Sequence, residues 1–582
     1  MDGRPPRLLS GHGPGTIARW LPEWWTHRLF AGAAAADEAP AGWRALPLLH
    51  VAALVLLAGL LFGSRLRAPL LEPQEVRYAE IPRQMLAAGD WLVPTLHGEP
   101  YLDKPPLLYW AVMASYQTFG VRDSSARLVP AAAGLFLVVI AYWWGRRLFG
   151  PATALCGAAV LGLTPEFVYR GRMLTFDVVL AAWVTAALAC GHVACLGGRR
   201  RAGWWAASAV ACGLGLLTKG PVALVLAAVP LAGATWLDRR LARPTVWAWA
   251  GYLAVAGMVA APWYVAVMVR QPEFAGTFFW KHNVVRFVQP FDHARPAWYY
   301  LPGLLLGLLP WTLLLPGLAR FVTRRDEAAR RPGALGFLLL ASLWMLLFFS
   351  AAGCKRPTYL LPALPPLALA LGWYVHRGLA AWERATALAT GGAAVCLLAG
   401  AGLPLLGLAT AVVRPEVAVG LAGGSAAVAL ALAARRRLVG WATTAGLTVV
   451  GLWLGIAFLL PAYHDRFSLR GHLRQQASIS ALGTRPVVCY PQRYDSAHFY
   501  LPGQPVRVFA AEQRRELCAY LAEHPGTLLL VKSGPVLRDL LAALPPAVEF
   551  RTRQRGGAIL VGRVVTHDRP PVQVAPLSGA PL

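Results

Sequence analysis

Apolar stretches of about 20 residues recur along most of the chain, separated by short polar turns, and each is long enough to cross a bilayer core as a helix. Thirteen spans are expected, at 45–63, 127–145, 151–167, 177–196, 203–218, 220–237, 246–269, 297–320, 334–352, 358–376, 387–410, 416–434 and 438–461. After Pro461 the pattern changes. Short β runs ("RPVVCY", "PVRVF", "TLLLVK", "GAILVGRVV") then mix with amphipathic helical stretches ("EQRRELCAYLAEH", "VLRDLLAAL"), the mark of a small α/β domain. The expected organisation is an N-terminal segment 1–44, a membrane domain 45–462 with a large first loop at 66–127, an α/β domain 463–567 and a disordered tail 568–582. No small-residue cleavage site follows the first apolar run, so it reads as a retained helix.

Composition sharpens the class. The chain is 57% hydrophobic and only 14% charged, where soluble proteins carry about a quarter charged residues. This excludes an ordinary soluble fold and gives an all-α polytopic membrane protein with a small extracytoplasmic α/β domain at its C-terminal end. The net charge of +27 does not mark a nucleic-acid partner, because the basic residues lie in short turns between apolar runs. With the N-terminal segment in the cytoplasm, eighteen arginines fall in short inner loops: Arg146/Arg147, Arg199–Arg201, Arg239/Arg240/Arg243, Arg320/Arg324/Arg325/Arg330/Arg331, Arg377/Arg384 and Arg435–Arg437. The positive-inside bias thus favours an inner (plasma) membrane protein whose α/β domain is periplasmic or extracellular. On that topology the outer segments are 66–127, "TPEFVYRGRMLTFD", "TKGP", 270–296 and "GCKRPTY". They mix acids, bases, His, Tyr and Trp, whereas the inner loops are merely basic, so chemistry is expected outside.

Five lysines stand against fifty arginines. A lysine kept in such a chain is a candidate for its compact point charge. In "YLDKPPLLYW" the two prolines stiffen the chain after Asp103–Lys104, which either makes a surface pair or presents Lys104 to a lipid phosphate. In "LTKGP" Lys219 has no acid near it in sequence; it either snorkels or meets a phosphate. "FFWKHNVVRFVQPFDHARPAWYY" carries Lys281, His282, Arg286, His293 and Arg295, with His282 and Arg286 on one helical face. "RGRMLTFD" sets Arg172 and Asp177 at a span mouth, where they pair with each other or serve a site. "GCKRPTYLLP" adds Lys355, Arg356 and Tyr359. No Cys/His spacing marks a zinc motif; the metal stays unknown, with Asp103 and His282 able to meet around a divalent ion. Cys489 and Cys518 read either as a bridge or as two buried thiols.

The order "EPQEVRYAEIPRQM", "YLDKPPLLYW", "LTKGP", "HNVVRF" and "KRPTYLLP", followed by an α/β tail, resembles the polyprenyl-phosphate-dependent glycosyltransferases of the GT-C fold. The aminoarabinose-transferase and protein O-mannosyltransferase branch is the nearest in pattern, and the resemblance covers most of 45–460. It implies about thirteen membrane helices, a polyprenyl-phosphate-linked sugar as donor and a lipid (lipid A), protein or envelope glycan as acceptor. Lys104, Lys219, Arg286 and Tyr359 match positions that hold the donor phosphate. Glu75 matches the second acid of the family's Asp-Glu pair, while Gln74 stands where the first acid is expected. The base would then be Glu75, Glu72, Asp103 or Asp177. Asp103 keeps the charge of a family Glu. The chemistry agrees: a sugar on a phosphate carries a good leaving group, needs positive charge where that phosphate departs, and needs a carboxylate for the acceptor hydroxyl. Direct displacement would invert the anomeric centre. Two other readings are a lipid-linked sugar transporter, for which no internal repeat is seen, and a catalytically impaired binding homologue, for which Gln74 speaks.

Overall fold

In a computed structural model, the structure describes residues 46–290, 292–379, 381–397, 441–476, 486–552 and 559–566, with positions 425, 428 and 429. The body is a bundle of apolar helices. Among the described residues, five are long and apolar enough to cross a membrane: Asp123–Phe149, Phe176–Cys195, Val246–Arg270, Gly333–Ala351 and Pro357–Gly378. Two bent pairs bring the number up to seven, and Pro47–Gly63, Val222–Leu237 and Thr444–Phe458 are shorter apolar helices. The expected spans at 387–410 and 416–434 lie largely outside the described residues.

Two expected straight spans are broken. Pro151–Gly162 meets Pro165–Gly171 at 65°, and Ala297–Gly307 meets Trp311–Thr323 at 106°. Proline lacks the amide hydrogen a helix interior needs, and it drives the residue before it out of the helical region. Thr164 accordingly turns extended before Pro165, and Pro310 lies in the second break. The central strut is Phe176–Cys195, buried on nearly all sides and packed against Asp123–Phe149, Arg201–Lys219 and Val222–Leu237. Small residues let such helices approach closely. A Cβ on Gly372 would stand 2.3 Å from the Gly157 Cα, so no side chain fits there.

The first loop folds into two helices, Gln74–Ala88 and Leu107–Phe119, joined by a hairpin of Thr95–Leu96 and Glu99–Pro100. Gly89, left-handed at φ 68°, ends the first helix with its N–H on the Leu86 carbonyl. His97 and Gly98 both have positive φ, as a two-residue hairpin turn of matching twist requires.

The C-terminal part carries a five-stranded sheet in the order Val506–Val508, Val487–Tyr490, Leu528–Lys532, Ile559–Thr566, Val548–Arg551. The first three strands are parallel and the last two join antiparallel. Three of the four expected β runs contain strands near the expected places, and the fourth gives Ile559–Thr566; Val548–Arg551 is additional. Strand alternation sends Cys489 into one core with Val487 and Leu530, while Cys518 packs in the other with Val488 and Leu529. The two thiols are free and lie on opposite faces of the sheet, which answers the bridge question in favour of buried thiols.

The sheet is fastened to the first loop by polar contacts. Both Glu72 oxygens accept from the start of the helix Asp495–Tyr500, at the Asp495 N–H (2.8 Å) and Ser496 N–H (2.9 Å). Asp495 in turn meets Arg77 (2.9 Å) and His97 (2.8 Å). The Tyr500 hydroxyl donates to Asp123 (2.5 Å), which also pairs with Arg470.

Candidate active site

Charged side chains from the first loop and from four further segments converge. Lys104 is placed by Pro105 and Pro106, which open the helix Leu107–Phe119 without spending an amide hydrogen. Its ammonium donates to the Asp103 carbonyl at 2.8 Å. The Asp103 carboxylate meets His282 Nε2 at 2.9 Å. His282 lies on an eleven-residue π-helix, Ala275–Val285, and Arg286 follows at its end. Arg286 grips Asp292 through two hydrogen bonds, 2.9 and 2.6 Å. Lys219 closes the helix Arg201–Lys219, where Gly220 turns the chain at φ 82° with Phe278 so close that a Cβ would lie 2.6 Å from its ring. Lys219 pairs with Asp177 and sits 4.0 Å above the Tyr359 ring.

Burial would raise the Asp103 carboxyl, but the His282 hydrogen bond and the Lys104 charge hold it down at about 2. Burial pushes the Lys104 ammonium down to about 8; the charges of Arg286, Lys219 and Arg356 push the same way, against Asp103. Four cations (Lys104, Lys219, Arg286, Arg356) thus face three carboxylates (Asp103, Asp177, Asp292), leaving one positive charge in excess.

Several expectations change here. Glu75 is buried within the protein, 1% exposed, and both oxygens are taken. Arg127 donates to them at 2.9 and 2.7 Å, with the Leu71 and Leu174 N–H groups each at 3.0 Å. Burial would raise its carboxyl, and the Arg127 guanidinium outweighs that and holds it below the usual value. Glu75 therefore has the environment of a structural ion pair and presents no oxygen for a base. Glu72 is spent on the start of the helix Asp495–Tyr500. Gln74 hydrogen-bonds Tyr78. Arg172 does not pair with Asp177; it donates to the carbonyls of Leu61, Phe62 (3.1 Å) and Ser64, tying down the end of the first apolar helix. Lys219 does have an acid, Asp177, brought from a neighbouring helix. Lys355 is likewise structural, donating to the Arg295 (3.0 Å) and Ala352 carbonyls. Asp103 and His282 do meet, and among the described residues no cluster of three or more His, Cys, Asp or Glu forms a metal site. Asp292 was not legible as a site neighbour. Asp292 lies six residues after Arg286, a spacing with no helical meaning once the chain turns at Gln289.

The fold, a bundle of broken apolar helices with charged residues from the first loop and four further segments, is similar to that of GT-C glycosyltransferases. The crystal structures of ArnT from Cupriavidus metallidurans, one bound to undecaprenyl phosphate and one in the apo state, superpose with a TM-score of 0.68 at 23% identity, over 90% of this chain and 98% and 97% of theirs. A family model described as dolichyl-phosphate-mannose-protein mannosyltransferase matches residues 50–278. Within that class the chain is similar to the undecaprenyl phosphate-alpha-4-amino-4-deoxy-L-arabinose arabinosyl transferases. The Edwardsiella ictaluri protein is 36% identical over 319 residues, 53% of this chain and 56% of that one. The Aeromonas hydrophila protein is 36% identical over 307 residues, 52% and 55%. The chain spans about half the length of the curated relatives it matches. The resemblance read from the five motifs is thereby shown.

Proposed function

We propose that the chain is a membrane glycosyltransferase that moves a sugar from a polyprenyl-phosphate donor to an acceptor at the external membrane face, with inversion. The carrying observation is the convergence of Lys104, Lys219, Arg286 and Tyr359, with the nearby charge of Arg356 leaving one positive charge in excess. A phosphodiester donor brings one negative charge. As the acceptor hydroxyl attacks the anomeric carbon, the bond from that carbon to the phosphate oxygen breaks and its electron pair stays on the polyprenyl phosphate. The cations stabilise the charge that develops there.

The hydroxyl proton goes to Asp177. With Gln74 an amide and Glu75 sealed, Asp177 is the carboxylate within reach of both Lys219 and the Tyr78–Gln74 pair. Transfer of Lys219 from Asp177 to the donor phosphate frees the carboxylate as the donor binds. Asp103 orients Lys104 and His282; the same two residues would hold a divalent ion, which would supply further positive charge for the phosphate, and transfer that persists in EDTA leaves the phosphate to the cations alone. The relatives' names point to an undecaprenyl-phosphate-linked sugar as donor; lipid A, protein and envelope glycan are the acceptor classes that the proposal includes. The reading includes about thirteen membrane helices, the N-terminal segment in the cytoplasm, and an extracytoplasmic α/β domain over 463–567.

The test is transfer of labelled sugar from polyprenyl-phosphate donors to envelope lipids and proteins by the purified chain. Asp177→Asn should bind donor and fail to transfer, losing roughly 10²-fold or more in rate. Gln74 favours a second reading, a binding homologue without activity. Donor binding with no transfer by the wild-type chain would select it.

A further inference from the structure

The segment Gly353–Arg356 runs extended beside residues 287–295. The Gly353 N–H donates to the Phe287 carbonyl (2.7 Å), the Lys355 N–H donates to the His293 carbonyl (3.1 Å), and Ala294 and Cys354 form a bridge. Arg356 is extended at φ −125°, ψ 145°. In an extended segment successive side chains point to opposite sides. Lys355 goes inward to backbone carbonyls, and Arg356 goes the other way, toward the cations and carboxylates of the site. Its Nη2 lies 2.9 Å from His293 Nε2 and 3.8 Å from Asp292. Its Nε is buried with no hydrogen-bond partner. A buried guanidinium N–H left unpaired is costly, and a cation brought to cations is costlier still. The charge of Arg356 acts on Lys104, Lys219 and Asp177 alike, so it stands among them. Such an arrangement is stable once an anion supplies acceptors, and a guanidinium offers a planar fork that a phosphate can take with two oxygens.

We propose that Arg356 is a phosphate-binding residue of the donor site, the fourth cation there, with its unpartnered Nε aimed at a donor phosphate oxygen. This rests on the glycosyltransferase reading and adds the residue that completes its phosphate cradle. The side chain belongs to binding of donor and of the released polyprenyl phosphate; the proton is handled elsewhere.

The experiment is a titration of the full chain in nanodiscs with undecaprenyl phosphate and, in parallel, with undecaprenol, which has the same tail and no phosphate. Arg356→Leu should weaken undecaprenyl phosphate binding by about tenfold or more, the size of one charge-assisted hydrogen bond, and leave undecaprenol binding unchanged. Arg356→Lys should recover part of the loss, because it restores charge without the fork. Both variants should melt within about 2 °C of the wild type, since the contacts of Nη2 with His293 and Asp292 are partly exposed and such pairs contribute only about 0–1 kcal/mol. Wild-type binding with unchanged affinity in Arg356→Leu overturns the assignment alone, and so does an equal loss for phosphate and undecaprenol. A wild-type chain indifferent to undecaprenyl phosphate overturns the glycosyltransferase reading and this assignment with it.

Discussion

Lys104 carries the clearest residue-scale consequence. Its ammonium is held at about 8 by burial and by three neighbouring cations. A bound phosphate favours the charged form, so donor binding takes up a proton above that value. Donor affinity should hold between pH 6 and 8 and fall by up to about tenfold per unit above it, as a proton-linked equilibrium requires. Lys104→Ala should remove most donor binding and flatten that profile; a profile that persists in the variant assigns the titration to another group. Glu75 now belongs to stability. Breaking a buried pair by removing one partner costs about 3–5 kcal/mol. Glu75→Gln should therefore lower the melting temperature by several degrees, while turnover per folded molecule stays near wild type. Normal stability with lost turnover would return Glu75 to the chemistry. Lys104 was readable because Asp-Lys-Pro-Pro is a local signal. The Asp177 partner of Lys219 was not, because 42 residues separate them in sequence and only helix packing joins them.

At the scale of elements, the apolar pattern located most of the helices and missed their breaks. Periodicity reports how apolar a stretch is, while the 65° and 106° bends depend on where a proline falls within it. The sheet was legible because β runs alternate within a short range, and the helix Asp495–Tyr500 was not, since six residues give too little periodicity. That helix is nonetheless the fastening. Asp495 bridges Arg77 and His97, and losing such contacts costs about 1–3 kcal/mol each. Asp495→Ala should loosen the sheet from the first loop, seen as faster hydrogen exchange at residues 70–77 with little change in the sheet itself. Unchanged exchange at 70–77 would show that the Glu72 and Asp123 contacts hold the loop without the Asp495 side chain.

For the whole molecule, the proposed orientation sets the sheet outside and the arginine-rich turns inside. A protease added to intact spheroplasts should clip residues beyond 461 and spare the turn at 324–332. Cleavage of that turn with protection of the sheet would invert the molecule, and the external site would be falsified with it.

The fastening between Glu72 and Asp495 joins residues 423 positions apart. A ribosome needs roughly 20–85 s to cover that distance at about 5–20 residues per second. During that interval Glu72 and Asp123 wait in the nascent chain without the groups that will satisfy them. The first loop reaches its fastened form only once residues 470–500 have been made, so a product that stops short of them leaves Glu72 and Asp123 without these partners.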